Sequence, residues 1–117
     1  MKKVLMADDD KFFVQVVARF LASAGYEVVT ASNGQEALDL AGRERPDVAV
    51  LDVALPFVTG DQLAERLDGG LPILFVSGRD MDRLEGLEGP RFRFLQKPAD
   101  LDDILSNVQE LLGERVG

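Results

Sequence analysis

Short apolar runs alternate along this chain with segments of helical period, and that alternation constrains the fold more than any other feature. The runs are Val4 to Ala7, Val28 to Ala31, Val48 to Leu51, Ile73 to Val76 and Phe92 to Leu95. Each is strand-sized, and most are apolar throughout. Such strands belong to a parallel sheet covered on both faces, because a half-solvated antiparallel strand alternates apolar with polar residues. Between the first two runs, Phe12, Val16 and Phe20 lie beside Phe13, Val17 and Leu21 at helical spacing, and Gly25 follows as a C′ residue. Asn33 is placed to cap a second helix, with Glu36 three residues later and Ala37, Leu38 and Ala41 as its inner face. A third helix is expected after Gly60 and a fourth within Asp80 to Glu88. The last is the clearest: Asp100 stands at its N-cap, and Leu101, Ile104, Leu105, Val108, Leu111 and Leu112 repeat at helical period. Five strands alternating with five helices predict an open α/β sheet with helices on both faces. Ligands of such sheets bind beyond the carboxyl ends of the strands.

Size agrees with one such unit. At ~100 to 200 residues per domain, the 117 residues are expected to form a single domain, residues 1–117. An apolar share of 46% with 29% charged residues excludes disorder as the main state. Thirteen basic against 21 acidic residues leave a net charge of −8, which phosphate backbones and anionic lipid repel, so no direct nucleic-acid or membrane binding is expected. The absence of cysteine excludes disulfides and thiolate metal sites, and the absence of histidine excludes zinc sites and histidine-based acid-base catalysis. Met1-Lys2-Lys3 resembles the start of a signal peptide, but the apolar run that follows stops at Asp8. No stretch is long enough to span a bilayer, and a cytoplasmic location is the expectation. The tail Gly113-Glu114-Arg115-Val116-Gly117 suits either a natural end or the start of a linker.

The polar residues after the strands form a chemical set. Asp8, Asp9 and Asp10 follow the first strand, Asp52 the third, Ser77 the fourth and Lys97-Pro98 the fifth. If strands one, three, four and five are neighbours, these groups converge on one crevice. Carboxylates without imidazole or thiolate select a hard cation, and Mg²⁺ takes one or two carboxylates, waters and a substrate phosphate. The run from Asp8 to Phe13 lacks the alternate acids and the glycine of a calcium EF-hand. Lys97 and Ser77 supply an ammonium and a hydroxyl for phosphate oxygens, and a carboxylate such as Asp52 can form an aspartyl phosphate. Taken alone, Asp8 to Asp10 read as a solvated turn, with Asp10 capping the next helix. Asp52 is different, because a charge that directly continues a buried apolar strand must meet water, metal or a partner. Crowding three carboxylates predicts strain without metal, since two unit charges ~4 Å apart repel by roughly 4 kcal/mol at an effective dielectric of ~20.

Over essentially its full length the chain resembles the receiver domain of two-component response regulators. Val4 to Asp10 is similar to the family's first strand and acidic pair, and Pro46 to Asp52 to the strand that carries the phosphoacceptor. Leu55-Pro56 and Gly60 follow at the family's spacing, Ser77 falls at the hydroxyl position, and Phe94-Leu95-Gln96-Lys97-Pro98 matches the switch aromatic, the lysine and its proline. The resemblance implies a flavodoxin-like, doubly wound five-stranded sheet of order 2-1-3-4-5. It also implies that Asp52 accepts a phosphoryl group from a histidine kinase or histidine phosphotransfer protein. Asp9, Asp52 and the Ala54 carbonyl would bind Mg²⁺ directly and Asp8 through a water, while Lys97 and Ser77 would bind the phosphate. Phe94 would turn inward and alter the face formed by the fourth helix, fifth strand and fifth helix, and Pro98 is the candidate for a cis peptide bond. The implied role is a signalling phosphoacceptor rather than an enzyme, catalysing at most its own phosphorylation and dephosphorylation and acting on an unknown downstream protein or output domain.

Some positions depart from the family pattern. The stretch from Ser77 to Lys97 is shorter than usual and is interrupted by Gly86, Gly89 and Pro90, so the fourth helix is expected to be short, shifted or mobile. Ala99 stands where phenylalanine is frequent. The last helix lacks the basic residues of receivers that dimerise to activate winged-helix DNA binding, so that class is not expected. Arg79 and Ala54 flank the site and bear on how water would reach a bound phosphate. Two other functions compete. A phosphorylation-independent, receiver-like interaction module is opposed by the intact Asp8, Asp9, Asp52, Ser77 and Lys97 set. A nucleotide-binding enzyme is opposed by the lack of G-x-x-x-x-G-K-[ST] and G-x-G-x-x-G, and an aspartate-nucleophile phosphatase would want an acid at Ala54.

Overall fold

The structure, a computed structural model, describes residues 1–67 and 69–114, so the Arg115-Val116-Gly117 part of the tail lies outside the described residues. In chain order it runs β1 (Lys3–Ala7), α1 (Lys11–Ser23), β2 (Glu27–Ala31), α2 (Gly34–Glu44), β3 (Val48–Leu51), α3 (Gly60–Arg66), β4 (Ile73–Ser77), a 3-10 turn (Met81–Leu84), β5 (Phe92–Gln96) and α4 (Leu101–Leu111). All five strands are parallel, in the order β2-β1-β3-β4-β5. The doubly wound, flavodoxin-like sheet expected from the resemblance is therefore the fold observed.

Strand alternation divides the core in two. Val4, Met6, Val48, Val50, Leu74 and Val76 face α1 and α4, meeting Val14, Val17, Leu21, Ile104 and Val108. Leu5, Ala7, Ala49, Leu51, Ile73 and Phe75 face the other way, against Ala37 of α2 and Leu63 and Ala64 of α3. Double coverage explains why the central strands are apolar on both faces. The expected caps are in place at two helices. Asp10 accepts from the backbone N–H groups of Phe12 and Phe13, and Asn33 accepts from Glu36 N at 2.8 Å. Gly25 takes the left-handed φ of +102° at the C′ position of α1. Asp100 occupies the N-cap position of α4 without a side-chain capping bond.

One element differs from expectation. Where a fourth helix was expected within Asp80 to Glu88, the chain makes only the 3-10 turn, leaving four α-helices among the described residues. Asp80 enters the turn at φ 58°, and Gly86 and Gly89 follow at φ +90° and +119°. These left-handed residues break the helical path before a second turn can form. Leu84 still reaches the core, so one buried side chain holds the segment down. No helix among the described residues is long and apolar enough to cross a membrane.

Candidate functional site

The strand ladder itself assembles the polar set. Asp52 N donates to Ala7 O at 3.1 Å, which holds Asp52 one residue beyond β3 and beside the end of β1. Ser77 ends β4, and Lys97 N donates to Ser77 O at 3.0 Å, holding Lys97 just beyond β5. Asp8, Asp52, Ser77 and Lys97 thus stand together at the carboxyl edge of four neighbouring strands. Asp8, Asp52 and Ser77 are only 1%, 6% and 0% exposed, so the reading of Asp8 as part of a solvated turn does not hold, while Asp9 is exposed.

Their side chains form one network. Lys97 Nζ lies 2.7 Å from Asp8 Oδ2 and 3.6 Å from Asp52 Oδ2. Its ammonium also sits 4.7 Å from the centroid of the Phe13 ring. Ser77 Oγ is 2.6 Å from Asp52 Oδ1 and 2.8 Å from the Arg79 carbonyl oxygen. Asp52 Oδ1 also accepts from Ala54 N at 3.3 Å, and Asp8 Oδ1 from Asp10 N at 2.9 Å. The Lys97–Pro98 peptide bond is cis. One oxygen from each of Asp8, Asp9 and Asp52 can be chosen so that all lie within 4.8 Å of one another.

Burial and neighbouring charge together set how Asp8 and Lys97 titrate. Burial pushes the Asp8 carboxyl above its ordinary value and Asp52 adds repulsion, against the pull of the Lys97 ammonium and the Asp10 N–H. Burial opposes the charge on Lys97 as well, yet hydrogen bonding and attraction from Asp8 and Asp52 hold its pKa above the ordinary lysine value. The two upward shifts thus have different origins: burial dominates at Asp8, whereas at Lys97 the attraction of two carboxylates outweighs burial.

The loop after Asp52 packs closely onto the site. Gly60 N donates to Val53 O at 2.8 Å, and Gly34 N to Pro56 O at 2.9 Å. A Cβ on Gly60 would lie 2.5 Å from the Asp52 carbonyl oxygen, so only glycine lets α3 start here. Phe57 stands 84% exposed on this loop at φ 71°. Phe94 lies outside the crevice, on edge strand β5, stacked on Phe75 at 5.7 Å and partly exposed. Sequence reasoning singled out neither the Phe13 ring nor the Arg79 carbonyl. Phe13 reads as one more member of an apolar stripe, and a backbone acceptor carries no side-chain signal.

Comparison with known proteins agrees with this geometry. Residues 4–109 match the response regulator receiver domain. The response regulator MprA of Mycolicibacterium vanbaalenii is 36% identical over 115 residues, an overlap of 94% of this chain and 50% of that protein. MprA of Mycobacterium tuberculosis matches at the same identity and coverage, so the chain spans about half the length of the curated relatives it matches. Among solved structures, the chemotaxis response regulator CheY4 of Vibrio cholerae superposes with a TM-score of 0.83 at 32% identity, covering 95% of this chain and 98% of that one. A CheY-like receiver domain protein from Methanospirillum hungatei superposes at 0.85 with 27% identity, covering 97% and 94%. Agreement of sequence and fold across residues 4–109 makes this chain a member of the response regulator receiver domain family.

Proposed function

We propose that this receiver takes a phosphoryl group onto Asp52 from the phosphohistidine of a partner histidine kinase or phosphotransfer protein. The observation that carries the reading is the placement of Asp52: a nearly buried carboxylate with a hydroxyl on one oxygen and an ammonium beside the other. An Asp52 oxygen attacks phosphorus, and the new O–P bond forms as the N–P bond to the donor imidazole breaks. The bonding pair returns to the imidazole nitrogen, which takes up a proton. The chain has no histidine of its own, so the donor must supply one.

The site suits a hard cation, because the side chains of Asp8, Asp9 and Asp52 bring carboxylate oxygens together there. Asp9, Asp52 and the Ala54 carbonyl would hold Mg²⁺ and Asp8 would act through a water. When bound, the ion neutralises charge on the transferring phosphoryl oxygens. Lys97 then exchanges Asp8 for the phosphoryl group. Ser77 has one proton to donate, so a hydroxyl turned to the phosphoryl group gives up the Arg79 carbonyl. That frees the segment carrying the 3-10 turn, lets Phe94 turn inward and changes the face formed by this turn, β5 and α4, which a downstream partner reads.

The test is intact mass after incubation with acetyl phosphate and Mg²⁺. Wild type gains one phosphoryl group, and Asp52→Ala or metal-free protein gains none. No adduct on wild type, together with no binding of a stable phosphoryl mimic, would overturn this reading in favour of a phosphorylation-independent interaction module.

A further inference from the structure

We propose that Phe13 is a positioning residue for Lys97, its ring face holding the ammonium in the gap between Asp8 and Asp52 where the phosphoryl group enters. The role rests on the phosphoacceptor reading above. Lysine carries a compact charge on a flexible stem, and the Lys97 side chain keeps 27% of its surface exposed. Ion pairing alone leaves such an ammonium free to swing toward water. A ring face within about 6 Å of a cation attracts it through the ring quadrupole, and here Nζ sits 4.7 Å from the Phe13 centroid.

The placement follows from one strand-to-helix corner. Asp8 accepts from Asp10 N, and Asp10 accepts in turn from Phe13 N at 3.2 Å as it caps α1. The carboxylate of Asp8 and the ring of Phe13 are therefore carried by the same short hydrogen-bonded segment and meet one ammonium. Phe12, the adjacent residue, is 75% exposed, so the contact belongs to Phe13 and not to a general apolar surface. An ammonium held on this short arc needs little reorganisation when charge arrives on Asp52.

Phe13 also packs against the core facing α1, so the test must separate packing from electrostatics. Fluorination withdraws charge from the ring face while nearly preserving shape. Phe13 is replaced by mono-, di- and trifluorophenylalanine through site-specific incorporation, and by Phe13→Tyr and Phe13→Leu. Acetyl phosphate with Mg²⁺ is the donor: an O–P bond to Asp52 forms, the acyl O–P bond breaks, and acetate leaves with the electron pair. Two readouts are taken, the phosphorylation rate constant by intact mass and, without donor or metal, the ring-current shift of the Lys97 ε-methylene protons.

The expected result is a rate that falls stepwise with fluorine content, about two- to fivefold in total for a contact of this strength, at unchanged melting temperature. Phe13→Tyr keeps the wild-type rate, and Phe13→Leu loses the ring-current shift and falls to the trifluoro rate. Rates indifferent to fluorine in a protein that is phosphorylated overturn the role of Phe13 alone. A wild type that takes no phosphoryl group overturns the phosphoacceptor reading and this role with it.

Discussion

The Ser77 hydroxyl, fully buried at the end of β4, stands between Asp52 Oδ1 at 2.6 Å and the Arg79 carbonyl at 2.8 Å. Its single proton is therefore shared between a charged side chain and the backbone that leads into the 3-10 turn. Removing it strips a hydrogen bond from a nearly buried carboxylate. Ser77→Ala is expected to lower unfolding stability by about 1–3 kcal/mol, with Ser77→Thr losing less. Denaturant titration at constant m-value measures this, and an unchanged midpoint would show the contacts to be energetically idle.

Three carboxylates share the crevice with one ammonium, so the site stays short of positive charge. Mg²⁺ is expected to raise the melting temperature of wild type. Asp9→Asn, which removes the exposed member, should raise the metal-free melting temperature by a few degrees at most and abolish most of the Mg²⁺ response. Equal Mg²⁺ shifts in the two proteins would remove Asp9 from the ligand set.

Helix propensity favours alanine over glycine, yet Gly60→Ala is expected to destabilise. Its Cβ would stand 2.5 Å from the Asp52 carbonyl oxygen and 2.9 Å from Val53 Cα, and backbone has little freedom to retreat. The expected loss is about 1–3 kcal/mol, accompanied by slower phosphorylation as Asp52 is displaced. Gain of stability in a melting experiment would contradict the close approach.

Tyr26 is the only tyrosine, so its ionisation can be followed by ultraviolet absorbance. Burial, a hydrogen bond to Glu114 and the charge of that residue push its pKa up to about 12. A raised folded-state value means the stabilisation is complete below the unfolded value near 10 and is lost as pH rises through about 12. Alkaline titration should show this late midpoint, and Glu114→Gln should move it down. A midpoint near 10 in wild type would mean that the contact is absent in solution.

Phe57 holds φ at 71°, a region costly for a bulky residue, while its side chain is 84% exposed and anchors little. Phe57→Asn, which tolerates this conformation, should stabilise the fold by about 1 kcal/mol or less. Thermal unfolding decides the sign.

The strands, the helices that follow Asp10, Asn33 and Asp100, and the identity of the polar set are legible in the amino-acid order. These are local properties: a strand shows as an apolar run and a cap as a side chain a few residues from the amide it binds. The same order points to Asp52, because a charge that ends a buried run has no apolar explanation. Tertiary structure alone decided that Asp8 is buried and paired, since its partner Lys97 lies 89 residues away and meets it only through the sheet register. The same holds for Phe13, an ordinary member of a helical stripe until the end of β5 brings an ammonium over its ring. The 3-10 turn was half legible. Gly86, Gly89 and Pro90 signalled an interruption, but how much helix survived depended on backbone angles and on whether Leu84 could reach the core. Periodicity reports which face of an element is buried; which side chains then meet is set by how distant elements align.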